Sequence, residues 1–208
     1  MKKILLILFI CISFIKCKNN DSTDFDSLKI KNISEIVETV ISDGNLKVLK
    51  NGTDSKMFCD ELVKLNIYVS KNNKETMPIR PLPGPAAFRD ISIQNLLLVK
   101  IDNQLFFSSS DSLFLLQQNR NLKTFKIENR IAEKINSTSI KSEVNKHITG
   151  KSFDYYLMTI PVFSQNYNSA YLEINNYCNG MCGGGKSIFI KKINRKWKII
   201  AEWENWSS

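Results

Sequence analysis

The chain has 208 residues, of which 43% are apolar, and its 29 basic against 20 acidic residues give a formal charge of +9. This apolar content is ordinary for a folded domain and excludes a disordered chain, and the length allows one well-filled core or two small ones. The lysines are dispersed among Asn, Ser and Ile instead of forming one stripe. We therefore expect solvated basic side chains and no nucleic-acid partner.

The N-terminus has the layout of a bacterial export signal. Two lysines precede an apolar run over residues 4–15, and Cys17 follows almost at once. The run is shorter than the roughly 20 residues that cross a membrane. A Cys at the cleavage point resembles the lipobox of bacterial lipoproteins, although Lys16 stands where Gly, Ala or Ser is usual. We expect a signal peptide over 1–16 and a membrane anchor on lipidated Cys17. An uncleaved anchor or a simple secretory signal is the alternative.

The rest of the chain divides by composition. Residues 17–27 are mostly polar and predict a flexible tether, which leaves 28–208 as a single folded domain. Four prolines between Met77 and Pro85 exclude a helix or an inner strand. They predict an extended connector and a possible sub-boundary at 77–88, or, as the alternative, a polyproline ligand for a partner.

Before this connector, helical and strand patterns alternate. Asn32 precedes an apolar stripe with helical spacing, and Gly44 can end that helix. The stripe consists of Ile33, Ile36, Val37, Val40 and Ile41. The segment Leu46–Leu49 predicts a short strand, followed by a turn at Asn51-Gly52. Beyond the turn, the pattern predicts a short helix capped by Asp54, with Met57, Phe58 and Leu62 on one side, and then a strand over Leu65–Val69.

After the connector, three short helices are expected. Ser92 can cap a helix that carries Ile93, Leu96, Leu97 and Ile101, and Ser110 can cap one that carries Leu113, Phe114 and Leu116. A third helix is predicted from the spacing of Ile140, Val144 and Ile148 and ends at Gly150. Residues 119–138 are polar and poorly periodic.

From Phe153 onward, aromatic and β-branched residues dominate and predict strands. The expected strands are Tyr155–Phe163, Ala170–Tyr177, Ser187–Ile193 and Trp197–Trp203. Short turns at 166–168 and 194–195 favour an antiparallel meander. The fold class is therefore α+β, with an N-terminal helix-rich half packed on a C-terminal antiparallel sheet.

Two cysteines lie in a glycine-rich run, Cys178-Asn-Gly-Met-Cys182-Gly-Gly-Gly. In an oxidising compartment this spacing favours a structural disulfide between Cys178 and Cys182, which leaves Cys59 free. A redox-active pair or a metal site is the alternative, but three residues separate the thiols and the chain has one His. Gly185-Lys186-Ser187 imitates a phosphate-binding loop, yet a strand rather than a helix should follow it.

No catalytic constellation can be assembled from the remaining residues. His147 falls on the same helical side as Ile140 and Val144, so a packed His is expected in preference to a general base. No nucleophile-elbow motif accompanies it. Trp197, Trp203 and Trp206 are expected to pack in the sheet, with stacking on a ligand as the alternative. We expect no catalytic residue, no metal ligand and no cofactor.

Several C-terminal motifs resemble those of uncharacterised lipoproteins from Bacteroidetes. They are Pro161-Val162-Phe163-Ser164, Ala170-Tyr171, Cys178-x-Gly180-x-Cys182-Gly183, Lys191-Lys192, Lys196-Trp197-Lys198 and Trp206-Ser207, preceded by the segment 110–118. The resemblance implies a lipoprotein and no catalytic residue. We therefore expect a non-enzymatic cell-envelope lipoprotein with a binding, structural or protective role towards an unknown protein or small-molecule ligand. The alternative is an envelope hydrolase or thiol-dependent enzyme.

Overall fold

The computed structural model describes residues 21–52, 55–70, 88, 90–118 and 120–208, with side chains described from residue 27 onward. The chain forms two compact units, Met1–Ile33 and Ser34–Ser208. The predicted signal peptide, Cys17 and nearly all of the proline-rich connector lie outside the described residues. Among the residues that are described, no helix is both long and apolar enough to span a membrane.

The first element is a long helix, α1, over Asp21–Asp43. The predicted apolar stripe is confirmed, since all five of its residues are buried. Gly44 ends the helix, and its N–H donates to the carbonyl oxygen of Val40 at 3.1 Å. The predicted start at Asn32 is wrong, and residues 21–27, which were expected in a flexible tether, are helical. The reason is that no glycine or proline interrupts the sequence between Asp21 and Asp43.

A seven-stranded sheet forms most of the second unit. Its strands are β1 (Met57–Cys59), β8 (Ser137–Thr138), β9 (Asp154–Met158), β10 (Val162–Phe163), β11 (Ser169–Cys178), β12 (Gly184–Ile193) and β13 (Lys196–Ser207). They lie in the order β13-β12-β11-β9-β1-β8, and β10 pairs with β11. The pairs from β9 to β13 are antiparallel, which confirms the predicted C-terminal sheet, whereas β1 is parallel to both of its neighbours.

Alternation along β11 gives this sheet two different faces. Ala170, Leu172 and Ile174 point to one side, together with Ile188 and Ile190 of β12, and all are buried. Tyr171, Glu173, Asn175 and Tyr177 point to the other side. We call these the apolar face and the mixed face of the sheet. Because successive side chains of a strand point to opposite sides of the sheet, the residues of β11 alternate between these two faces.

Short elements pack against the upper part of the mixed face. They are β3 (Ile67–Tyr68), β4 (Ile91–Ser92), α2 (Ile93–Leu98), β5 (Lys100–Ile101), β6 (Gln104–Leu105) and α3 (Ser112–Gln117). Ser92 caps α2 as predicted, because its hydroxyl accepts from the N–H of Asn95 at 3.1 Å. The apolar side chains of these short elements join Tyr171 and Phe189 in one buried cluster. Ile101, expected in the same helix as Ile93, is instead in a two-residue strand.

The remaining elements are β2 (Glu61–Val63), β7 (Thr124–Lys126), α4 (Asn129–Ala132) and α5 (Ile140–Ile148). Thus the polar segment 119–138 contains two strands and a short helix. A 3-10 turn over Ser109–Asp111 leads into α3. The N-cap of this turn is Ser108, whereas Ser110, the predicted cap, lies inside the turn. Two strands were predicted before the connector. In the predicted strand Leu46–Leu49, only Leu49 pairs, in an isolated bridge with Ile135, and in the predicted strand Leu65–Val69, only the two residues of β3 are in a strand.

The helix expected after Asp54 is wrong, because the chain there forms β1 and β2. Phe58, Cys59 and Leu62 are fully buried, and β1 lies between two parallel neighbours. A short apolar run inside a sheet cannot be told from a helix by periodicity alone, and here tertiary pairing decides. The N-terminal half of the described chain therefore holds one long helix among short strands, and a helix-rich half is not confirmed.

Candidate functional site

A cleft of about 600 Å³ opens between α1 and the β12–β13 hairpin. Residues after the short helix α4 close its third side. Small-molecule sites in proteins commonly have volumes of about 300 to 1,000 Å³, with an apolar lining and a few polar groups. The size of this cleft therefore suits a small ligand, and its three walls differ in chemistry.

The helix wall is polar because α1 turns its apolar stripe towards the core. Glu35, Glu38, Thr39 and Ser42 follow the spacing i, i+3, i+4, i+7 and line the cleft. Arg130 binds Glu38, with 2.5 Å between Nη1 and Oε1. The hydroxyl of Thr39 donates to the carbonyl oxygen of Glu35 at 2.9 Å. The side chains of Glu38 and Thr39 thus already have partners within the protein.

Arg130 belongs to a small network that fixes α4 beside α1. Its Nε donates to Oε2 of Glu128 at 2.5 Å, and the hydroxyl of Ser34 donates to Oε1 of the same carboxylate at 2.6 Å. These two hydrogen bonds, from Ser34 first and Arg130 second, lower the pKa of Glu128. The network holds the helix wall and the α4 wall in a defined relation.

The hairpin wall is basic and carries Arg195, Lys196 and Lys198, and Lys134 lies on the α4 side. Asn194 and Arg195 form the two-residue turn with φ values of 52° and 65°, as in a type I′ hairpin. Glycine is the usual second residue of this turn, and a left-handed conformation costs a side-chain-bearing residue about 1–2 kcal/mol. The sequence nevertheless places an arginine there, at the mouth of the cleft.

The floor of the cleft is apolar. Trp197 is 4% exposed and lies with Ile131 and Ile135, which are also buried, while Leu49 at the rim is 53% exposed. The ring of Trp197 is 6.0 Å from that of Phe163, and the Nζ of Lys192 lies 4.9 Å from the Trp197 ring centroid. The expectation that Trp197 packs in the core is confirmed, and Trp197 also lines the cleft.

A second polar cluster lies on the mixed face of the sheet. The phenol of Tyr171 donates to Oε1 of Glu173 at 2.7 Å and lies 2.8 Å from the hydroxyl of Ser187. That hydroxyl in turn donates to Oδ1 of Asn205 at 2.8 Å. Burial raises the pKa of Tyr171 well above its ordinary value, so the phenol stays a donor. The cluster ties β11, β12 and β13 together and is too buried to serve as an open site.

The predicted disulfide is present, with 5.9 Å between the Cα atoms of Cys178 and Cys182. Hydrogen bonds join its loop to the chain end, since the N–H of Ser208 donates to the carbonyl oxygen of Gly183 at 3.1 Å. Gly185 and Lys186 lie in β12, so the phosphate-loop imitation is followed by a strand, as expected. Among the described cysteines, Cys59 is free and buried. Burial, followed by the charge of Glu143, raises the pKa of Cys59 to about 12, so little thiolate forms at neutral pH.

The expectation of a packed His147 is wrong. His147 is exposed, and its ring lies 5.3 Å from that of Phe153. The reason is that α5 buries Glu143 instead of its apolar stripe, so that Val144 and Ile148 face solvent. Glu143 accepts from the hydroxyl of Thr138 at 2.6 Å and from Lys146 at 2.7 Å. Thus α5 buries the side that carries Glu143 and not the apolar side that the hydrophobic spacing predicted.

The structure does not bring His147 or Cys59 to the cleft. Of the residues that line it, Trp197 was singled out from the sequence, but no cleft was predicted. Two sequence signals point to them in retrospect: the polar stripe of α1 and an arginine at the glycine position of a two-residue turn. Among the described residues, no group of three or more His, Cys, Asp or Glu side chains could hold a metal ion.

Comparisons with protein-family models, curated proteins and solved structures gave no match to this chain. The chemistry of the cleft is therefore the basis on which a function can be inferred.

Proposed function

We propose that this protein is a cell-envelope lipoprotein, anchored through Cys17, whose folded part binds a ligand without transforming it. The single observation that supports a binding role is the cleft between α1 and the β12–β13 hairpin. It combines a volume of about 600 Å³ with a buried Trp197 in its floor and charged side chains at its rim. Concave sites with an apolar lining and few polar groups are the usual form of a small-molecule site.

The lining of the cleft favours binding over catalysis. A nucleophile needs a base within hydrogen-bond reach and a third group that orients the base. Thr39 and Ser42 supply the hydroxyls of the cleft, and both donate to carbonyl oxygens of their own helix. The Oγ of Ser42 also lies 3.0 Å from Oδ1 of Asp43, so its one proton is shared between that carboxylate and the carbonyl oxygen of Thr39. Among the described residues, neither His nor Cys lines this cleft.

The competing proposal is an envelope hydrolase or a thiol-dependent enzyme. Its thiol form would need a reactive cysteine, whereas Cys59 is 0% exposed with a pKa raised to about 12, and the thiols of Cys178 and Cys182 are joined. A reactive thiol is normally accessible and has a lowered pKa. These properties support the binding role over the thiol-enzyme alternative.

Filling the cleft with a large side chain tests the binding role. Ser42 is exposed on the helix wall, so Ser42→Trp should occupy the cleft without disturbing the core. Ser142→Trp is the matched control, because Ser142 is exposed on α5 and does not line the cleft. A fragment library is screened by ligand-observed NMR against the full chain. Fragments that bind the wild type and Ser142→Trp but not Ser42→Trp support the proposal. Hits that bind all three proteins equally refute it.

A further inference from the structure

We infer that the cleft selects a small anionic ligand with an apolar body, and that Arg195 determines this specificity. The inference rests on the proposed binding function and adds to it the chemical class of the ligand. A carboxylate, phosphate or sulfonate group would lie at the hairpin wall, and an aliphatic or aromatic group would lie on the floor formed by Trp197 and Ile135.

The charges around the cleft favour an anion. In the part of the chain that the structure describes, no carboxylate lies within 4.0 Å of the side-chain nitrogens of Lys134, Arg195, Lys196 or Lys198. Some cations elsewhere are paired, as Lys186 is with Glu202 at 3.0 Å and Lys146 is with Glu143 at 2.7 Å, so what distinguishes the cleft is that four cations lie together. Four cations at one mouth raise the local concentration of anions, and apolar walls strengthen that effect.

The carboxylates of the cleft do not cancel this preference. Glu38 is bound by Arg130, which balances its charge. Glu35 and Asp43 also line the cleft. All three belong to the helix wall or the end of α1, whereas the unpaired cations occupy the hairpin and α4 walls. A ligand can therefore place its anionic group near the hairpin and remain away from the acidic helix wall.

The conformation of Arg195 is the second observation that points to a role. Its φ of 65° lies in the left-handed region, where glycine would fit a two-residue hairpin without strain. The arginine side chain lines the cleft, and a guanidinium can bind a carboxylate or phosphate through two parallel hydrogen bonds. Residues with strained backbone conformations are common at ligand sites. Arg195 combines such a conformation with an anion-binding group at the mouth of the cleft, and we therefore assign it the role of specificity determinant.

Two dyes that differ in one charged group provide the test. Anilinonaphthalene sulfonate and N-phenylnaphthylamine share an aromatic body, and only the former carries a sulfonate. Fluorescence titration of the full chain should show the sulfonate dye binding roughly tenfold more tightly, as expected for a hydrogen bond to a charged group. The difference should shrink as salt is raised. Octanoate should displace the bound dye at concentrations at which octanol does not.

Arg195→Gly separates the functional role from a structural one. Because glycine suits this turn, the variant should unfold at a temperature at least as high as that of the wild type. Its affinity for the sulfonate dye should fall roughly tenfold, and its affinity for the neutral dye should change less than about twofold. Lys151→Gln, which also removes one positive charge, is the control for net charge and should bind both dyes as the wild type does, because Lys151 is exposed beyond α5 and does not line the cleft.

The outcomes distinguish this inference from the proposed function. Equal affinity for the two dyes, or an Arg195→Gly variant that binds the sulfonate dye as the wild type does, overturns the anion selectivity. If Ser42→Trp still abolishes binding of both dyes in that case, the binding role of the cleft survives. If Ser42→Trp leaves both dyes bound, the cleft is not their site and the proposed function fails as well.

Discussion

Gly185 occupies a position in β12 where no side chain fits. A Cβ atom built there would lie 2.6 Å from Cδ1 of Trp206 and still closer to the indole nitrogen of Trp206 and the amide oxygen of Asn175. These two groups need to meet, because the indole N–H donates to Oδ1 of Asn175 at 3.2 Å. The amide of Asn175 in turn donates to the phenol oxygen of Tyr177 at 2.8 Å. Gly185→Ala must therefore displace the link between β13 and β11.

The cost of Gly185→Ala can be estimated from its two parts. Forcing a methyl group into a packed region typically costs about 1–3 kcal/mol. Leaving a buried hydrogen-bonding group of Asn175 without its partner costs about 1–3 kcal/mol more. The free energy of unfolding should thus fall by about 2–6 kcal/mol, and Tm should fall by about 4–24 °C for a domain of this size.

Gly184→Ala provides the control in the neighbouring residue. Its added Cβ would meet only the carbonyl oxygen of Trp206, at an ordinary contact distance of 3.5 Å. Its free energy of unfolding should lie within about 1 kcal/mol of the wild type. Urea denaturation followed by circular dichroism, without reductant, measures both variants. If the two alanine variants differ by less than about 0.5 kcal/mol, close to the error of such comparisons, then the glycine requirement at Gly185 is wrong.

Three further predictions concern other parts of the chain. Trp197→Ala should lower the free energy of unfolding by about 3–5 kcal/mol because Trp197 is 4% exposed, whereas Trp203→Ala, at a 43% exposed position, should cost clearly less in the same urea titration. Cys59 should resist alkylation by iodoacetamide in the folded protein at neutral pH. The pKa of Cys59 rises from 9.0 to about 12 on folding, so the unfolded state loses the thiol proton first as the pH is raised. The free energy of unfolding should therefore decline above pH 9, and it should decline less steeply there in Cys59→Ala. Identical pH profiles of the two proteins would contradict this assignment. Cys17→Ala should release the protein from the membrane fraction and abolish labelling with a fatty-acid probe, and a wild type retained in the membrane without lipid would refute the proposed anchor.

Local patterns in the sequence predicted the elements whose structure is decided locally. The long strands β11 to β13 and the apolar stripe of α1 follow hydrophobic periods of 2.0 and 3.6. The strand predicted over Tyr155–Phe163 is only partly correct, because the chain there forms two strands, β9 and β10, that are interrupted at 159–161. The Ser92 cap and the Cys178–Cys182 disulfide depend on short spacings, and both are present. Each of these features involves residues within a few positions of one another, so no knowledge of the tertiary structure is needed.

Where distant residues decide the structure, the sequence predictions were wrong. β1 is a strand because β8 and β9 pair with it from positions about 80 to 100 residues away. The cleft likewise joins α1 to residues near Lys134 and Trp197, and no local spacing indicates that they meet. The buried face of α5 is a different case, because the partners of Glu143, Thr138 and Lys146, are close in sequence. Their hydrogen bonds make a carboxylate tolerable inside the protein, and hydrophobic spacing takes no account of them.

The geometry of β13 explains why a binding site would lie at one end of this edge strand. Two register shifts interrupt its pairing with β12, and they leave Ile200 and Asn205 as extra residues. Ile200 packs beside Ala201 against the cluster on the mixed face, and Asn205 contacts Ser187 on that face. Bulges bend an edge strand and discourage other chains from pairing with it. Beside the hairpin the strand pairs without interruption from Lys196 to Ile199, where it lines the cleft, and a second uninterrupted stretch runs from Ala201 to Glu204. Both bulges thus lie away from the hairpin, and the uninterrupted end of the strand can hold Arg195 and Trp197 in fixed positions for a ligand.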